Sequence, residues 1–198
     1  MRTLFLAASV LGVGLSIVAA APLPVPPIVA TARCESCHGA GGDSQSPGVP
    51  RLNGQSSRYL ISRLSEFLDL PSQDPHAIGM NARIRNVRNE DFATIAAYFA
   101  SQPPTAAKNS TSPIRAKGLA IFAQGAPAQD IDACATCHGA NAEGAGPAPR
   151  LAGQHGTYLR DQLERLRLLT RVNAPMFHNT SRMTDEQIAA LVAYLAND

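Results

Sequence analysis

The chain lacks features that would mark several classes of protein. Among its 198 residues there is no tryptophan and only 5 % are aromatic, so a core must be filled in some other way. Four cysteines are too few for a disulfide-dense scaffold. A formal net charge of +2, from 17 basic and 15 acidic residues, is too balanced for a nucleic-acid-binding protein, whose affinity depends on neutralising phosphates. We therefore expect no nucleic-acid partner.

Only one long apolar run is present, at the beginning of the chain. A short positive start, Met1-Arg2-Thr3, precedes uncharged residues 4–20, which end in the small residues Val18-Ala19-Ala20. This layout predicts a secretory signal peptide over residues 1–20, because the run is short for a membrane span. The mature protein is then exported to an oxidising compartment, which we take to be a bacterial periplasm. If the segment were retained instead, it would anchor the protein and give weak membrane association.

The remainder of the chain repeats itself. RCESCHGA at residues 33–40 returns as ACATCHGA at 133–140, and PRLNGQ at 50–55 returns as PRLAGQ at 149–154. The order of the repeated motifs is kept, which predicts two tandem copies of one small domain. The Pro- and Ser/Thr-rich stretch between the copies predicts a linker. We place the first domain at residues 21–104, the linker at 105–115 and the second domain at 116–198.

Both copies have helical periodicity. Apolar residues at helical spacing predict helices over residues 56–70 and 89–100 of the first copy and 155–169 of the second. In the third of these, Leu159, Leu163, Leu166 and Leu169 are expected to face inward. Thr184-Asp185-Glu186-Gln187 has the pattern of a capping box and predicts the start of a last helix. No strand longer than a few residues is indicated, so the predicted fold class is all-α.

Each copy contains one Cys-x-x-Cys-His motif, which is the attachment signature of c-type haem. Two thiols three residues apart on a helical turn face the same way and can bond to the two vinyl groups on one porphyrin edge. The adjacent histidine then offers a nitrogen to the iron. The motifs comprise Cys34, Cys37 and His38 in the first copy and Cys134, Cys137 and His138 in the second. Two covalently attached haem c groups would also supply the missing core.

Three other interpretations of these cysteines remain open. A zinc site could use all four thiols, although a histidine after each pair is an odd match to ribbon spacings. A thioredoxin-like redox pair would need a strand–helix context that the sequence does not indicate. Plain disulfides are possible in an oxidising compartment.

Each haem iron needs a further axial ligand on the side opposite the histidine. Met80 and Met176 occupy matching places in the two copies, and a methionine paired with histidine is a standard c-type arrangement. Ligation by His76 or His178 is the alternative, whereas Met183 falls at a core position. With both axial positions filled by the protein, the iron has no place for a substrate. Outer-sphere electron transfer is then the remaining chemistry.

The combined motifs resemble the dihaem cytochromes c4, which are tandem class I cytochrome c domains of the periplasm. The resemblance rests on CESCHGA at residues 34–40, on the PRLxGQ motifs followed by Tyr-Leu, and on the two methionines, and it covers nearly all of the mature chain. It implies two small helical domains, each wrapped around one covalently attached haem. It also implies that Met80 and Met176 are distal ligands, and that the carbonyls of Pro50 and Pro149 orient the proximal histidine rings.

The first copy departs from this family in its opening helix. In the second copy, residues 113–122 match that helix, with Gly118 and Phe122 placed to cross the last helix near Tyr194. The first copy has only residues 22–33 before Cys34, and this stretch contains four prolines. Its opening helix is therefore expected to be truncated, leaving the last helix of that copy less covered and open to completion by a partner.

The expected function is electron transfer without catalysis. One possibility is a diffusing carrier between a quinol-oxidising complex or a dehydrogenase and a terminal oxidase or reductase. The alternative is the dihaem electron-accepting subunit of a periplasmic dehydrogenase, such as the cytochrome partner of a flavoprotein sulfide dehydrogenase. A haem enzyme would need an open or Cys-ligated iron, and the chain has no spare cysteine. The expected partners are therefore redox proteins.

Overall fold

The computed structural model describes residues 21–69, 78–171 and 173–197, and in these ranges helices alternate with long loops. Ten α-helices form there: α1 (Pro27–Thr31), α2 (Glu35–His38), α3 (Ser57–Asp69), α4 (Ile78–Ile84), α5 (Phe92–Ser101), α6 (Pro113–Gln124), α7 (Ala135–His138), α8 (Gly156–Arg167), α9 (Ala174–Thr180) and α10 (Asp185–Leu195). Extended pairing in the described residues is limited to three isolated bridges. The all-α prediction is confirmed.

The predicted helices occur with small differences at their ends. The capping box of α10 is present, because the Thr184 amide donates to Gln187 Oε1 at 2.9 Å and the Gln187 amide donates to Thr184 Oγ1 at 3.3 Å. Helix α8 ends at Arg167, before the predicted end. Leu169 adopts φ = 58° and is 49 % exposed, so the prediction that it faces the core is wrong. The predicted signal peptide lies outside the described residues.

Each repeat builds its own apolar core. In the first, α3 packs against α5, and in the second α6 and α8 pack against α10. The first core is centred on Leu60, Leu64, Phe92, Ile95 and Phe99. The second is centred on Phe122, Leu159, Ile188, Leu191 and Leu195. No helix in the part of the chain that the structure describes is long and apolar enough to cross a bilayer.

The opening helix of the second repeat crosses α10 at a glycine. A Cβ atom on Gly118 would lie 1.9 Å from the carbonyl oxygen of Ala190, so no larger residue fits this crossing without moving a helix. One turn later, the rings of Phe122 and Tyr194 lie 5.3 Å apart. Both contacts agree with the placement expected from the sequence.

The opening helix of the first repeat is short, as expected. Helix α1 has five residues, of which Val29 is fully buried. The preceding segment is attached to the end of α5 by bonds from the Leu23 amide to Ser101 Oγ and from Gln102 Nε2 to the Leu23 carbonyl. Thr94 of α5, the counterpart of the buried Ala190, is exposed and lines a surface groove beside α1.

The segment between the repeats lies against both of them. Thr105 Oγ1 donates to Asp43 at 2.9 Å in the first repeat, and the Lys108 amide donates to the Ala196 carbonyl at 2.9 Å in the second. Residues 113–115 of the predicted linker already belong to α6. The division into domains at residues 104 and 116 stays a prediction.

Candidate haem-binding sites

The first Cys-x-x-Cys-His motif forms a single helical turn. The His38 amide donates to the Cys34 carbonyl at 3.0 Å, which brings Cys34, Cys37 and His38 onto one short segment around α2. Gly39 then reverses the chain with φ = 78°, a conformation that L side chains rarely adopt. A Cβ atom at this position would also lie 2.4 Å from the Asp43 carbonyl oxygen. The glycine after the motif is therefore required by the local backbone.

The second motif has the same construction around α7. The His138 amide donates to the Cys134 carbonyl at 2.9 Å, and Gly139 follows with φ = 82°. His138 is only 5 % exposed, and Cys134 packs against the core of the second repeat. The two copies thus present the same three side chains from the same local fold.

Both histidine rings are oriented by a proline carbonyl. Nδ1 of His38 lies 2.9 Å from the Pro50 oxygen, and Nδ1 of His138 lies 2.9 Å from the Pro149 oxygen. Because a carbonyl can only accept a hydrogen bond, Nδ1 carries the proton and the lone pair remains on Nε2. Burial lowers the pKa of both rings, although the bond to the carbonyl opposes this shift. The histidines are therefore neutral imidazoles with a nitrogen lone pair ready for a metal.

The four cysteines are not paired with one another. Burial raises the pKa of the Cys34 thiol and raises that of Cys134 to about 11, whereas Cys37 and Cys137 are exposed. No disulfide joins the two thiols of either motif, and no group of three or more metal-ligating side chains gathers them within the described chain. Two thiols and one neutral imidazole on a single turn fit haem c attachment better than the disulfide or zinc interpretations.

Met80 and Met176 lie at corresponding places on short helices. Met80 belongs to α4, which packs against α3, and it is partly buried against the first core. Met176 lies in the first turn of α9, which packs against α8. Asn173 Oδ1 accepts the Met176 amide at 3.1 Å, and Thr180 Oγ1 donates to the Met176 carbonyl at 2.8 Å. The role of both methionines as iron ligands stays a prediction.

The other candidate ligands have different surroundings. His178 is 42 % exposed, and its Nε2 lies 3.7 Å from Asp130 Oδ2, so it is already engaged at the surface. His76 lies outside the described residues. Met183 is 6 % exposed within the second core, which agrees with its expected packing role.

The first motif carries an acid that the second does not have at that position. Glu35 Oε1 accepts hydrogen bonds from the Gly41 amide and from the Tyr98 hydroxyl, both at 2.6 Å. Burial, together with the Glu35 carboxylate, raises the pKa of Tyr98 to about 12. In the second copy Glu143, from the following loop, accepts the Asn141 amide at 2.8 Å instead. The two sites therefore have the same ligand geometry and different electrostatic surroundings.

Residues directly after the two orienting prolines join the repeats to each other. The Arg150 amide donates to Gln55 Oε1 at 2.7 Å, and Gln55 Nε2 donates back to the Arg150 carbonyl at 3.0 Å. Gln154 bonds to Arg51 in the equivalent way. This role was not predicted from the sequence, although the recurrence of glutamine in both PRLxGQ motifs was a signal for it. Each arginine directly follows a proline whose carbonyl orients a histidine. The hydrogen bonds of the interface therefore lie only a few covalent bonds away from both of these carbonyls.

Comparisons with known proteins agree with this geometry. A family model described as cytochrome c matches residues 27–103 and 116–197. Cytochrome c4 of Pseudomonas aeruginosa is 34 % identical over 168 residues, covering 82 % of each chain. Cytochrome c-552 of Acidithiobacillus ferridurans is 36 % identical over 167 residues, covering 83 % of this chain and 73 % of that protein. Both relatives align across the two repeats.

Solved structures of similar proteins also match this chain, and one of them is a thiosulfate dehydrogenase. Reduced cytochrome c4 from Pseudomonas stutzeri superposes with a TM-score of 0.76 at 29 % identity, covering 85 % of this chain and 93 % of that one. Thiosulfate dehydrogenase from Marichromatium purpuratum superposes with a TM-score of 0.71 at 30 % identity, covering 82 % of this chain but 36 % of that one. A thiosulfate dehydrogenase electron acceptor of Stutzerimonas stutzeri is 42 % identical over 82 residues, which is 40 % of this chain and 38 % of that protein.

The repeated cysteine–histidine turn, the proline-oriented imidazoles and the all-helical tandem architecture thus coincide with relatives that match along most of the chain. The chain belongs to the cytochrome c4 family and carries two covalently attached haem c groups.

Proposed function

We propose that this dihaem cytochrome c4-like electron carrier, whose partners are redox proteins, works in the periplasm and passes electrons from a quinol-oxidising complex or a dehydrogenase to a terminal oxidase or reductase. The observation that carries the proposal is the pair of neutral histidines, His38 and His138, each held by a proline carbonyl at 2.9 Å. When bound, each haem supplies an iron that gains and loses one electron without bonding to a substrate.

The proposed axial ligands are His38 with Met80 for the first haem and His138 with Met176 for the second. Both methionines lie on short helices that pack against the long helix following the PRLxGQ motif, so the two copies offer equivalent thioethers. A thioether favours ferrous iron and raises the reduction potential. With both axial positions held by the protein, a substrate cannot reach the iron. The proposed role therefore includes no catalytic step of its own.

Export to the periplasm is supported by the apolar run of residues 4–20 and the small residues that follow it. Removal of residues 1–20 would release the mature domains, whereas retention would hold them at the membrane surface. The sizes of amino-terminal fragments from protein purified out of both the membrane and the periplasmic fractions distinguish the two.

A second candidate role is the electron-accepting subunit of a periplasmic dehydrogenase. The truncated helix α1 favours it, because Thr94 is exposed at the position where Ala190 is covered in the second repeat. Similarity to a thiosulfate dehydrogenase electron acceptor supports a sulfur-oxidising enzyme as the donor, and the flavoprotein sulfide dehydrogenase suggested by the sequence is of that class. In this role the protein would still only accept and pass on electrons.

The test of the ligands uses methionine variants of the haem-loaded, oxidised protein. Ferric haem with a thioether ligand has a weak long-wavelength charge-transfer band, and Met80→Ala and Met176→Ala should each remove one haem's share of it and lower one of two potentials. Met183→Leu is the matched control, since Met183 lies in the core. An unchanged band in either alanine variant contradicts the assignment for that repeat.

The test of the role is size exclusion of the native extract with in-line absorbance. A peak with haem absorbance at the mass of one chain supports the diffusing carrier. A larger peak in which haem coelutes with a dehydrogenase supports the subunit role. Haem absent from the protein peak overturns both.

A further inference from the structure

Arg171 ends the turn that leads from α8 towards Met176. Its amide donates to the Arg165 carbonyl at 3.2 Å, and Thr170 Oγ1 donates to the same carbonyl at 3.3 Å. Leu169 adopts φ = 58° within this turn. These hydrogen bonds hold the backbone of Arg171 against the end of α8. They therefore also fix the direction in which the Arg171 side chain extends from the turn.

The guanidinium of Arg171 joins the two repeats. Nη1 donates to Gln162 Oε1 at 2.8 Å within the second repeat, and Nη2 donates to the Tyr59 hydroxyl at 3.1 Å in the first. Tyr59 lies on α3 and packs against the first core. A planar guanidinium with several donors suits this bridge, because each terminal nitrogen can serve a different repeat.

Half-buried aromatic side chains surround this contact. Tyr158, the counterpart of Tyr59 in the second repeat, lies close enough for the two phenols to interact. Burial raises the pKa of Tyr158, and the neighbouring Tyr59 adds to the shift. The charged groups facing the pair are Arg171, Arg63 and Asp161. In such surroundings a hydrogen bond from a cation is stronger than at an exposed surface.

In the part of the chain that the structure describes, this bridge runs from the second repeat to the first. Met176 and Met80 are 96 positions apart, so the first-repeat equivalent of Arg171 falls within residues 70–77, whose sequence LPSQDPHA contains no arginine. In the second repeat, only one residue separates Arg171 from Asn173, whose side chain holds the Met176 amide at 3.1 Å. The interface is otherwise nearly symmetric in the described residues, and it has an arginine before Met176 but none before Met80.

We propose that Arg171 is a positioning residue that holds the Met176 segment against the first repeat through Tyr59. The iron–methionine bond of the second haem then depends on contact between the repeats. Because no arginine precedes Met80 at the matching positions, the first haem lacks this dependence. This inference rests on the proposed ligation by Met176. It makes the potential of one haem sensitive to anything that loosens the interface, while the other haem keeps its value.

The experiment uses full-length, haem-loaded protein carrying Met80→Ala, in which the charge-transfer band of the oxidised form reports on the second haem alone. In this background Arg171→Gln should reduce the band at least about two-fold, since weakening the bridge shifts the population away from the ligated state. It should also lower the second potential, and Tyr59→Phe should act in the same direction. Arg171→Lys should restore part of the band, because it keeps the charge with fewer donors.

A matched control distinguishes the loss of the bridge between Arg171 and Tyr59 from a general loss of structure. Arg160→Gln removes an exposed charge from α8, the helix that precedes Arg171, and should keep the band. A full band and unchanged potential in Arg171→Gln overturn the inference, as does an equal shift of both haems in the protein with Met80 intact. A band that survives Met176→Ala in the Met80→Ala background overturns the ligand assignment itself.

Discussion

Gln154 of the second repeat and Arg51 of the first form a reciprocal pair of hydrogen bonds across the interface. The Arg51 amide donates to Gln154 Oε1 at 2.9 Å, and Gln154 Nε2 donates to the Arg51 carbonyl at 3.0 Å. The glutamine side chain thus satisfies both backbone groups of one residue, as a neighbouring strand would. Gln55 and Arg150 repeat this arrangement, so each copy holds the segment that orients the other copy's histidine.

Replacing Gln154 by alanine should weaken the interface. The change leaves the Arg51 amide and carbonyl without these partners, at a cost of about 1–3 kcal/mol per buried unsatisfied group. We expect Gln154→Ala to unfold at lower denaturant concentration and to show a larger radius of gyration by small-angle scattering. Gln45→Ala is the control, since Gln45 is exposed and bonds only to nearby Asp43. Equal behaviour of the two variants would show that the pair contributes nothing.

Replacing Gly118 by alanine should destabilise the second repeat selectively. The added methyl would meet the Ala190 carbonyl at 1.9 Å, so α6 and α10 must separate, and overpacking of this kind costs about 1–3 kcal/mol. Denaturant unfolding followed by haem absorbance and circular dichroism measures the loss. Gly48→Ala is the control, because a Cβ atom there meets nothing within 4 Å. A Gly118→Ala protein as stable as wild type would contradict the close helix crossing.

Tyr98 should make stability fall at alkaline pH. Its pKa is raised to about 12 in the folded protein, against about 10 for a free tyrosine, so the unfolded chain loses the proton first. This contribution is complete below pH 10 and is lost as the pH rises towards 12. We expect the free energy of unfolding of the reduced protein to fall less steeply over this window in Tyr98→Phe than in wild type. The difference in the free energy of unfolding between wild type and Tyr98→Phe at pH 7 is the reference. If the two profiles ran parallel from pH 7 to 12, this would contradict the raised pKa of Tyr98.

Helix α5 should be less protected than its counterpart α10. Thr94 is exposed in α5, whereas the equivalent Ala190 is buried under α6, and local opening is easier where fewer apolar contacts are lost. Hydrogen exchange on the isolated haem-loaded monomer should therefore be faster in residues 92–101 than in residues 185–195. The two helices serve as controls for each other within one chain. Equal protection of α5 and α10 would remove the reason to expect a partner at the exposed face of α5.

The apolar periodicity predicted the main helices because their inward residues do reach a core. Leu60 and Leu64 of α3 and Leu159 and Leu166 of α8 are all buried. The apolar spacing continues to Leu169, but helix α8 has already ended at Arg167, so Leu169 does not reach the core. A sequence pattern records which residues could share a face, but it does not record where the neighbouring surface ends.

The sequence by itself determined the duplication, the two haem attachment motifs and the shortened opening segment of the first copy. These depend on residue identity and short spacings, which the backbone converts directly into single turns such as Cys34 to His38. Only the tertiary structure decided how the copies meet. The glutamine pairs and the bridge from Arg171 to Tyr59 join residues 95 or more positions apart. Their bonds depend on the packed geometry of two domains. The repeated glutamines are a local signal that these residues have a role, but they do not show which residues of the other copy they meet.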